Sequence, residues 1–143
     1  MKRMILSFGL LLAQATFSQT ITNAWVKRPI PGVKLTGAYM LIENKGSQPF
    51  SLLKVQGPDA DFYEIHTHEK KDGVMKMRQL QSLEIPANSK VELKPKSFHI
   101  MLIQVKKNKL LPETKSTSLT LLFSNKKEVT VKAQVLNRKK RED

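Results

Sequence analysis

The segment Phe62–Leu80, FYEIHTHEKKDGVMKMRQL, contains two runs with apolar residues on alternate positions or in brief groups. That pattern is typical of β-strands, and it predicts strands at Phe62–His68 and Val74–Leu80. Asp72-Gly73 lies between the runs, and the dipeptide Asp-Gly favours a tight two-residue hairpin loop. The segment therefore predicts a β-hairpin.

The hairpin could form in two registers. A two-residue loop places Met77 opposite His68, whereas a four-residue loop spanning residues 70–73 places it opposite His66. Side chains at i and i+2 of a strand share a face. In both registers His66, His68 and Met77 therefore lie on one face of the hairpin.

The rest of the chain repeats this pattern of short strands separated by turn-forming residues, and it has little helical periodicity. We therefore predict an all-β fold, a single antiparallel β-sandwich or Greek-key barrel. We expect Trp25 to pack in its core. The other predicted strands are Ile21–Lys27, Gly37–Glu43, Phe50–Val55, Lys90–Leu93, His99–Val105, Ser118–Phe123 and Glu128–Val135.

The N-terminus is typical of a secretory signal peptide. Met1-Lys2-Arg3 is positively charged and Met4–Ala13 is almost wholly apolar, but this run is shorter than the roughly 20 residues that span a bilayer. We predict a signal peptide over residues 1–18 and a periplasmic domain over residues 20–135. The charged residues 136–143 should form a disordered tail. The alternative is an uncleaved N-terminal anchor.

The composition excludes several kinds of site. The chain has 0 Cys, which excludes disulfides, thiol redox chemistry, tetrathiolate zinc and a lipid attached to cysteine. Its formal net charge is +13. For an exported chain we expect no nucleic acid partner. A solvated basic surface is the simplest interpretation, and contact with an anionic membrane surface or an acidic protein is the alternative.

His66, Met77, His99 and Met101 form the pattern H-x10-M-x21-H-x-M. Thioether sulfur is a soft ligand that selects Cu(I), and imidazole also suits copper. His99 and Met101 share a face because they are two residues apart on one strand. The sequence does not show whether they lie beside the hairpin.

Other histidine and methionine residues lie near this pattern. An isolated methionine on a strand is more often a core residue than a ligand, and we expect Met40 and Met75 to be core residues. His68 could join the site or only stand near it.

The chain resembles the periplasmic copper chaperone PCuAC family over about residues 21–135. What the resemblance implies is a cupredoxin-like β-sandwich that binds one Cu(I) per chain through His66, Met77, His99 and Met101. It also implies a carrier, not an enzyme, that passes copper to subunit II of cytochrome c oxidase or to another copper chaperone. We expect a monomer. The matching segments are Glu64-Ile65-His66, Gly73–Arg78, Ile85-Pro86-Ala87, Leu93-Lys94-Pro95, Phe98–Met101, Ala24–Pro29, Gly37-Ala38-Tyr39 and Asn44-Lys45-Gly46.

The composition also bears on other copper functions. A blue-copper electron carrier needs a cysteine thiolate, which the chain lacks. A copper oxidase would need acid–base groups, but Glu64 and Asp72 are explained more simply as a surface carboxylate and a turn residue. Copper storage or resistance, and a metal-free secreted binding module, stay open.

Overall fold

The computed structural model describes residues 18–137, which form ten β-strands. None of the described residues belongs to a helix long and apolar enough to cross a membrane. The strands are β1 (Gln19–Lys27), β2 (Leu35–Asn44), β3 (Phe50–Gln56), β4 (Ala60–Lys71), β5 (Val74–Leu80), β6 (Leu83–Ile85), β7 (Ser89–Leu93), β8 (His99–Val105), β9 (Ser116–Phe123) and β10 (Glu128–Leu136).

The strands follow the spatial order β5-β4-β8-β2-β1-β10-β9-β3-β6, and β7 pairs with β2. The sheet is not closed, so the fold is a sandwich rather than a barrel. One face of each half of the sheet must be buried from solvent, because alternate residues of most strands are apolar. The two halves therefore pack on each other around one core.

The core is a single cluster of buried apolar side chains drawn from both halves of the sheet. Burial of each large apolar side chain contributes roughly 1.5–3 kcal/mol to stability. Met40, expected in the core, is 2% exposed. The largest fully buried apolar side chains are Phe123, Met40, Ile42, Leu52, Ile85, Leu93, Ile100, Leu102, Leu119, Leu121 and Val26.

Three features differ from the sequence predictions. β1 and β10 pair in parallel, with Trp25 opposite Gln134, although every pair was expected to be antiparallel. The prediction omitted β6, whose three residues pair with β3. Trp25 lies outside the core cluster, and its ring packs on that of Tyr39, with the two centroids 4.4 Å apart.

The predicted leader and charged tail lie outside the described residues, except for residues 18, 136 and 137. β10 extends to Leu136, one residue beyond the predicted strand, because Leu136 pairs with Lys27 of β1.

β2 changes partners halfway along its length, and this positions the loop that follows β7. Residues 40–44 of β2 pair with β7, and residues 35–38 pair with β8. Residues 94–98 therefore form a tight loop between β7 and β8, which pair with the same edge of β2. Hydrogen bonds of 2.9 Å from the Lys94 amide to the Phe98 carbonyl and of 3.1 Å from the Ser97 amide to the Lys94 carbonyl close this loop.

Candidate metal centre

The β4–β5 hairpin forms in the two-residue register. His68 lies opposite Met77 and Lys71 lies opposite Val74. Asp72 and Gly73 have φ angles of 52° and 78°, the positive values that a tight hairpin turn requires. His66 is therefore diagonal to Met77, at a typical cross-strand separation of about 7–8 Å between backbones.

β8 lies directly beside β4, on the side opposite β5. His99 is paired with His66, and Met101 is paired with Glu64. Because directly paired residues point to the same side of a sheet, all four residues of the pattern lie on one face of the β5-β4-β8 ribbon. The structure thus brings together the two sequence segments that the sequence alone could not join.

The four side chains differ greatly in exposure. His99 is 3% exposed and Met101 is 9% exposed. The side chain of His66 is 16% exposed, whereas Met77, on the edge strand β5, is 52% exposed. Three of the four side chains are therefore held largely inside the fold, and Met77 is the one that is open to solvent.

The backbone fixes the imidazole of His99. Its Nδ1–H donates to the carbonyl oxygen of Ser97 over 2.9 Å, which leaves the Nε2 lone pair free. Burial lowers the pKa of His99 below its ordinary value of 6.5, and the hydrogen bond to Ser97 opposes this change. The nearby imidazoles of His68 and His66 also lower it. The neutral ring, the form that binds a metal, is therefore favoured at neutral pH.

A carboxylate orients the imidazole of His66. Its Nε2–H donates to Glu64 Oε2 over 2.8 Å, and its buried Nδ1 has no hydrogen-bond partner among the described residues. A buried lone pair without a partner is costly unless something else satisfies it. A carboxylate behind a ligating imidazole is the usual support of a metal site. These two observations fit His66 as a metal ligand.

His68 and Met75 are the neighbours whose roles the sequence left open. The His68 ring is 5.3 Å from that of His99, and its Nδ1 lies 3.4 Å from the Ser97 carbonyl. Met75 is 55% exposed, so the expectation that it packs in the core is wrong. It lies on the edge strand opposite Lys70, two residues farther along the strand from the imidazoles than Met77.

Imidazoles and carboxylates alone do not complete a metal site. Within residues 18–137, no group of three or more His, Cys, Asp or Glu side chains is arranged to hold a metal ion. A coordination shell on this face would therefore need thioether sulfur. Met77 and Met101 are the methionines that flank the paired imidazoles.

Sequence reasoning missed three supporting residues. The Ser97 carbonyl contacts His99, the Glu64 carboxylate contacts His66, and the ring of Tyr39 lies 6.4 Å from the ring of His99. The sequence interpretation of Glu64 as a surface carboxylate leaves out this contact, although strand parity already places Glu64 on the face of His66. Ser97 contributes a backbone atom, for which side-chain identity gives no signal.

Comparisons with known proteins agree with this fold. The sequence model of the family described as "Putative lipoprotein LpqE-like" matches residues 20–135. A Leifsonia xyli protein named "Putative lipoprotein Lxx21020" is 31% identical over 106 residues, which cover 73% of this chain. The match spans 61% of that relative's length.

Two solved structures are similar over most of the chain. The solution structure of CuI-DR1885 from Deinococcus radiodurans has a TM-score of 0.69 and 28% identity, covering 90% of this chain and 84% of that one. The copper-bound PCuAC domain from PmoF2 has a TM-score of 0.70 and 24% identity, covering 85% and 96%, and its likeness shows the fold alone.

The all-β, cupredoxin-like fold predicted from the sequence is thus confirmed. Neither the family description nor the matched domains are of an enzyme, in agreement with the expected non-enzymatic function. The chain belongs to the LpqE-like family and has the fold of the PCuAC copper-chaperone domains.

Proposed function

We propose that this protein is an extracytoplasmic copper chaperone that carries one Cu(I) ion on His66, Met77, His99 and Met101. The observation that carries the proposal is the direct pairing of His66 with His99 across β4 and β8, with one lone pair of each ring left free. The relative from Deinococcus radiodurans, by its title, holds Cu(I).

The unequal burial of the four side chains suits a carrier. His99 and Met101 lie on an inner strand and need little rearrangement to bind. Met77 lies on an exposed edge strand, where an incoming ligand can replace it without unfolding the sheet. Copper is the cargo of this reaction: it passes from one set of ligands to another, and no covalent bond of the protein changes.

The site should be selective for Cu(I). Two thioethers and two imidazoles form a soft, neutral ligand set, which suits a cuprous ion better than hard cations. The formal net charge of +13 repels free cations at long range. Affinity must therefore come from short-range coordination by these four donors.

The compartment and the acceptor complete the proposal. The leader predicted over residues 1–18 and the lipoprotein names of the family and its relative support a location outside the cytoplasm. The PCuAC resemblance supports delivery of copper, by a monomer, to subunit II of cytochrome c oxidase or to another copper chaperone. Storage or resistance is the alternative destination.

Thermal unfolding with and without Cu(I) tests copper binding. A ligand that binds only the native state at 100 times its Kd adds about 2.7 kcal/mol to the free energy of unfolding. We expect the mature chain to melt at a higher temperature with Cu(I), and the variant His99→Ala to lose most of that rise. An unchanged melting temperature in excess Cu(I) would favour a metal-free binding module.

The destination of the copper needs a cellular measurement. A strain that lacks the gene, grown under copper limitation, should contain cytochrome c oxidase with less copper and lower activity. Normal oxidase together with copper sensitivity would instead support storage or resistance.

A further inference from the structure

The face that carries the candidate metal centre continues into an exposed apolar row. Leu35 of β2, Ile103 of β8 and Phe62 of β4 are paired across three neighbouring strands. They point to the same side as Met101 and Glu64, which lie two residues away along β8 and β4. We call these three residues the apolar row.

The apolar row is close to the site. Two residues of a strand span about 6.8 Å. The row therefore lies roughly 7 Å from Met101 and Glu64, and roughly 14 Å from the paired imidazoles of His99 and His66. A protein resting on the row would have its own side chains within reach of a metal on this face.

Leu35 and Phe62 are exposed and Ile103 between them is half-buried, although the row lies in the middle of a sheet. Leu35 is 45% exposed and Phe62 is 58% exposed, whereas Leu102 on the opposite side of β8 is fully buried. Scattered apolar residues on a surface need no explanation, but a contiguous apolar row beside a candidate site is typical of an interaction surface. An exposed aromatic side chain is also a frequent anchor of protein interfaces.

Basic side chains border the row. Lys34 precedes Leu35 and is exposed, and Lys54 and Lys106 line the same open depression as Phe62. Two carboxylates, Asp61 and Glu64, line this depression as well, and Asp61 lies 4.0 Å from Lys106. The rim therefore carries three lysines against two carboxylates, a small positive excess beside an apolar centre, on a chain that is strongly basic as a whole.

We propose that the apolar row, with Lys34, Lys54 and Lys106, is the docking surface for the protein that accepts the copper. The inference rests on the proposed function. The acceptor would present an apolar contact with carboxylates near it, and it would extend roughly 20 Å along β4 to bring its own ligands to Met77, the exposed donor. A second copy of this chain fits less well, because the formal net charge of +13 falls only to +11 without Lys2 and Arg3 of the predicted leader, and like charges repel.

The test is copper transfer from the Cu(I)-loaded chain to the copper-free soluble domain of cytochrome c oxidase subunit II from the same organism. The variants are Leu35→Ser and Phe62→Ser. The matched control is Val74→Ser, because Val74 is 56% exposed, as Phe62 nearly is, but lies opposite Lys71 at the far end of the β4–β5 hairpin. The Cu(I) affinity of each variant is measured separately by competition with a chromophoric chelator.

Both variants of the row should slow transfer about five- to tenfold, the usual effect of truncating an interface anchor. Their Cu(I) affinity should stay unchanged, and Val74→Ser should transfer at the wild-type rate. Added salt should slow transfer by the wild-type chain, because the encounter is electrostatically steered. Amide chemical shifts of the wild-type chain should change at the row when this domain is added.

Unchanged transfer rates in Leu35→Ser and Phe62→Ser, with Cu(I) affinity intact, would overturn the docking surface and leave the proposed function standing. Equal slowing in Val74→Ser would also overturn it. Binding of the row to anionic lipid vesicles, without an effect on transfer, would overturn it in favour of a membrane contact. A wild-type chain that does not bind Cu(I) would overturn the proposed function itself.

Discussion

Met77 and Met75 provide a matched pair of substitutions that isolates the thioether donor. They are 52% and 55% exposed, and they lie two residues apart on the same face of β5. Leucine has nearly the same volume as methionine but no sulfur. At half-exposed positions on an edge strand, Met→Leu should change the free energy of unfolding of the metal-free protein by less than about 0.5 kcal/mol.

The effect of Met77→Leu on copper should be much larger. Loss of a residue that merely supports a metal ligand costs about 10–100-fold in metal affinity, so loss of the ligand should cost at least about 100-fold. That factor corresponds to about 2.8 kcal/mol of binding free energy. Met75 lies two residues farther along β5 from the imidazoles, so Met75→Leu should leave the Cu(I) affinity unchanged.

The assay is a competition titration of each variant against a chromophoric Cu(I) chelator, under anaerobic conditions at pH 7. Thermal unfolding of the metal-free variants controls for folding. Equal losses of affinity in Met75→Leu and Met77→Leu would refute the assignment, because the two thioethers would then be interchangeable. Unchanged affinity in both would remove Met77 from the site.

Three further predictions concern other residues. Burial lowers the pKa of His99, so the unfolded chain binds a proton there more readily than the folded chain. The stability of the metal-free protein should therefore fall as the pH drops below about 6.5. Thermal unfolding between pH 8 and pH 5 should show that this part of the decline is absent in His99→Asn. Glu64→Leu removes the carboxylate that orients His66 and should weaken Cu(I) binding about 10–100-fold. Glu64→Gln should weaken it less, because its amide oxygen still accepts a hydrogen bond. Equal Cu(I) affinities of the two variants in competition titrations would exclude the orienting role. Met40→Ala creates a cavity in the core and should lower the free energy of unfolding by about 2–5 kcal/mol. A loss below about 1 kcal/mol in urea titrations would contradict the buried position of Met40.

Local signals were sufficient to predict the hairpin that carries half of the site. The tight turn requires positive φ angles, which Asp72 and Gly73 adopt. Of the two registers that the sequence left open, the structure has the one that places Met77 opposite His68. The bounds of β5 and β8 also agree with the sequence prediction, because both strands follow clear turn residues.

Long-range pairing could not be predicted in the same way. Nothing in the residues around His99 specifies that β8 lies beside β4, since that contact depends on how all the strands pack around the core. The parallel pairing of β1 with β10 joins the two ends of the domain and has no local signal. β6, with the three residues Leu83–Ile85, is too short for its period to stand out.

Burial was predicted well only where the whole strand is covered. Met40 follows the usual rule for methionine, but Met75 does not, because β5 is an edge strand with no layer over it. Trp25 stacks on Tyr39 on the face that carries the candidate metal centre, a position that its size and apolar character did not indicate.

X-ray absorption at the copper edge of the Cu(I)-loaded chain is the most direct test of the central claim. The ligand set His66, Met77, His99 and Met101 predicts a first shell that contains both nitrogen and sulfur scatterers in equal number, with the sulfur contribution reduced by half in Met101→Leu. A first shell of nitrogen and oxygen alone, or a sulfur contribution unchanged by that substitution, would contradict the account.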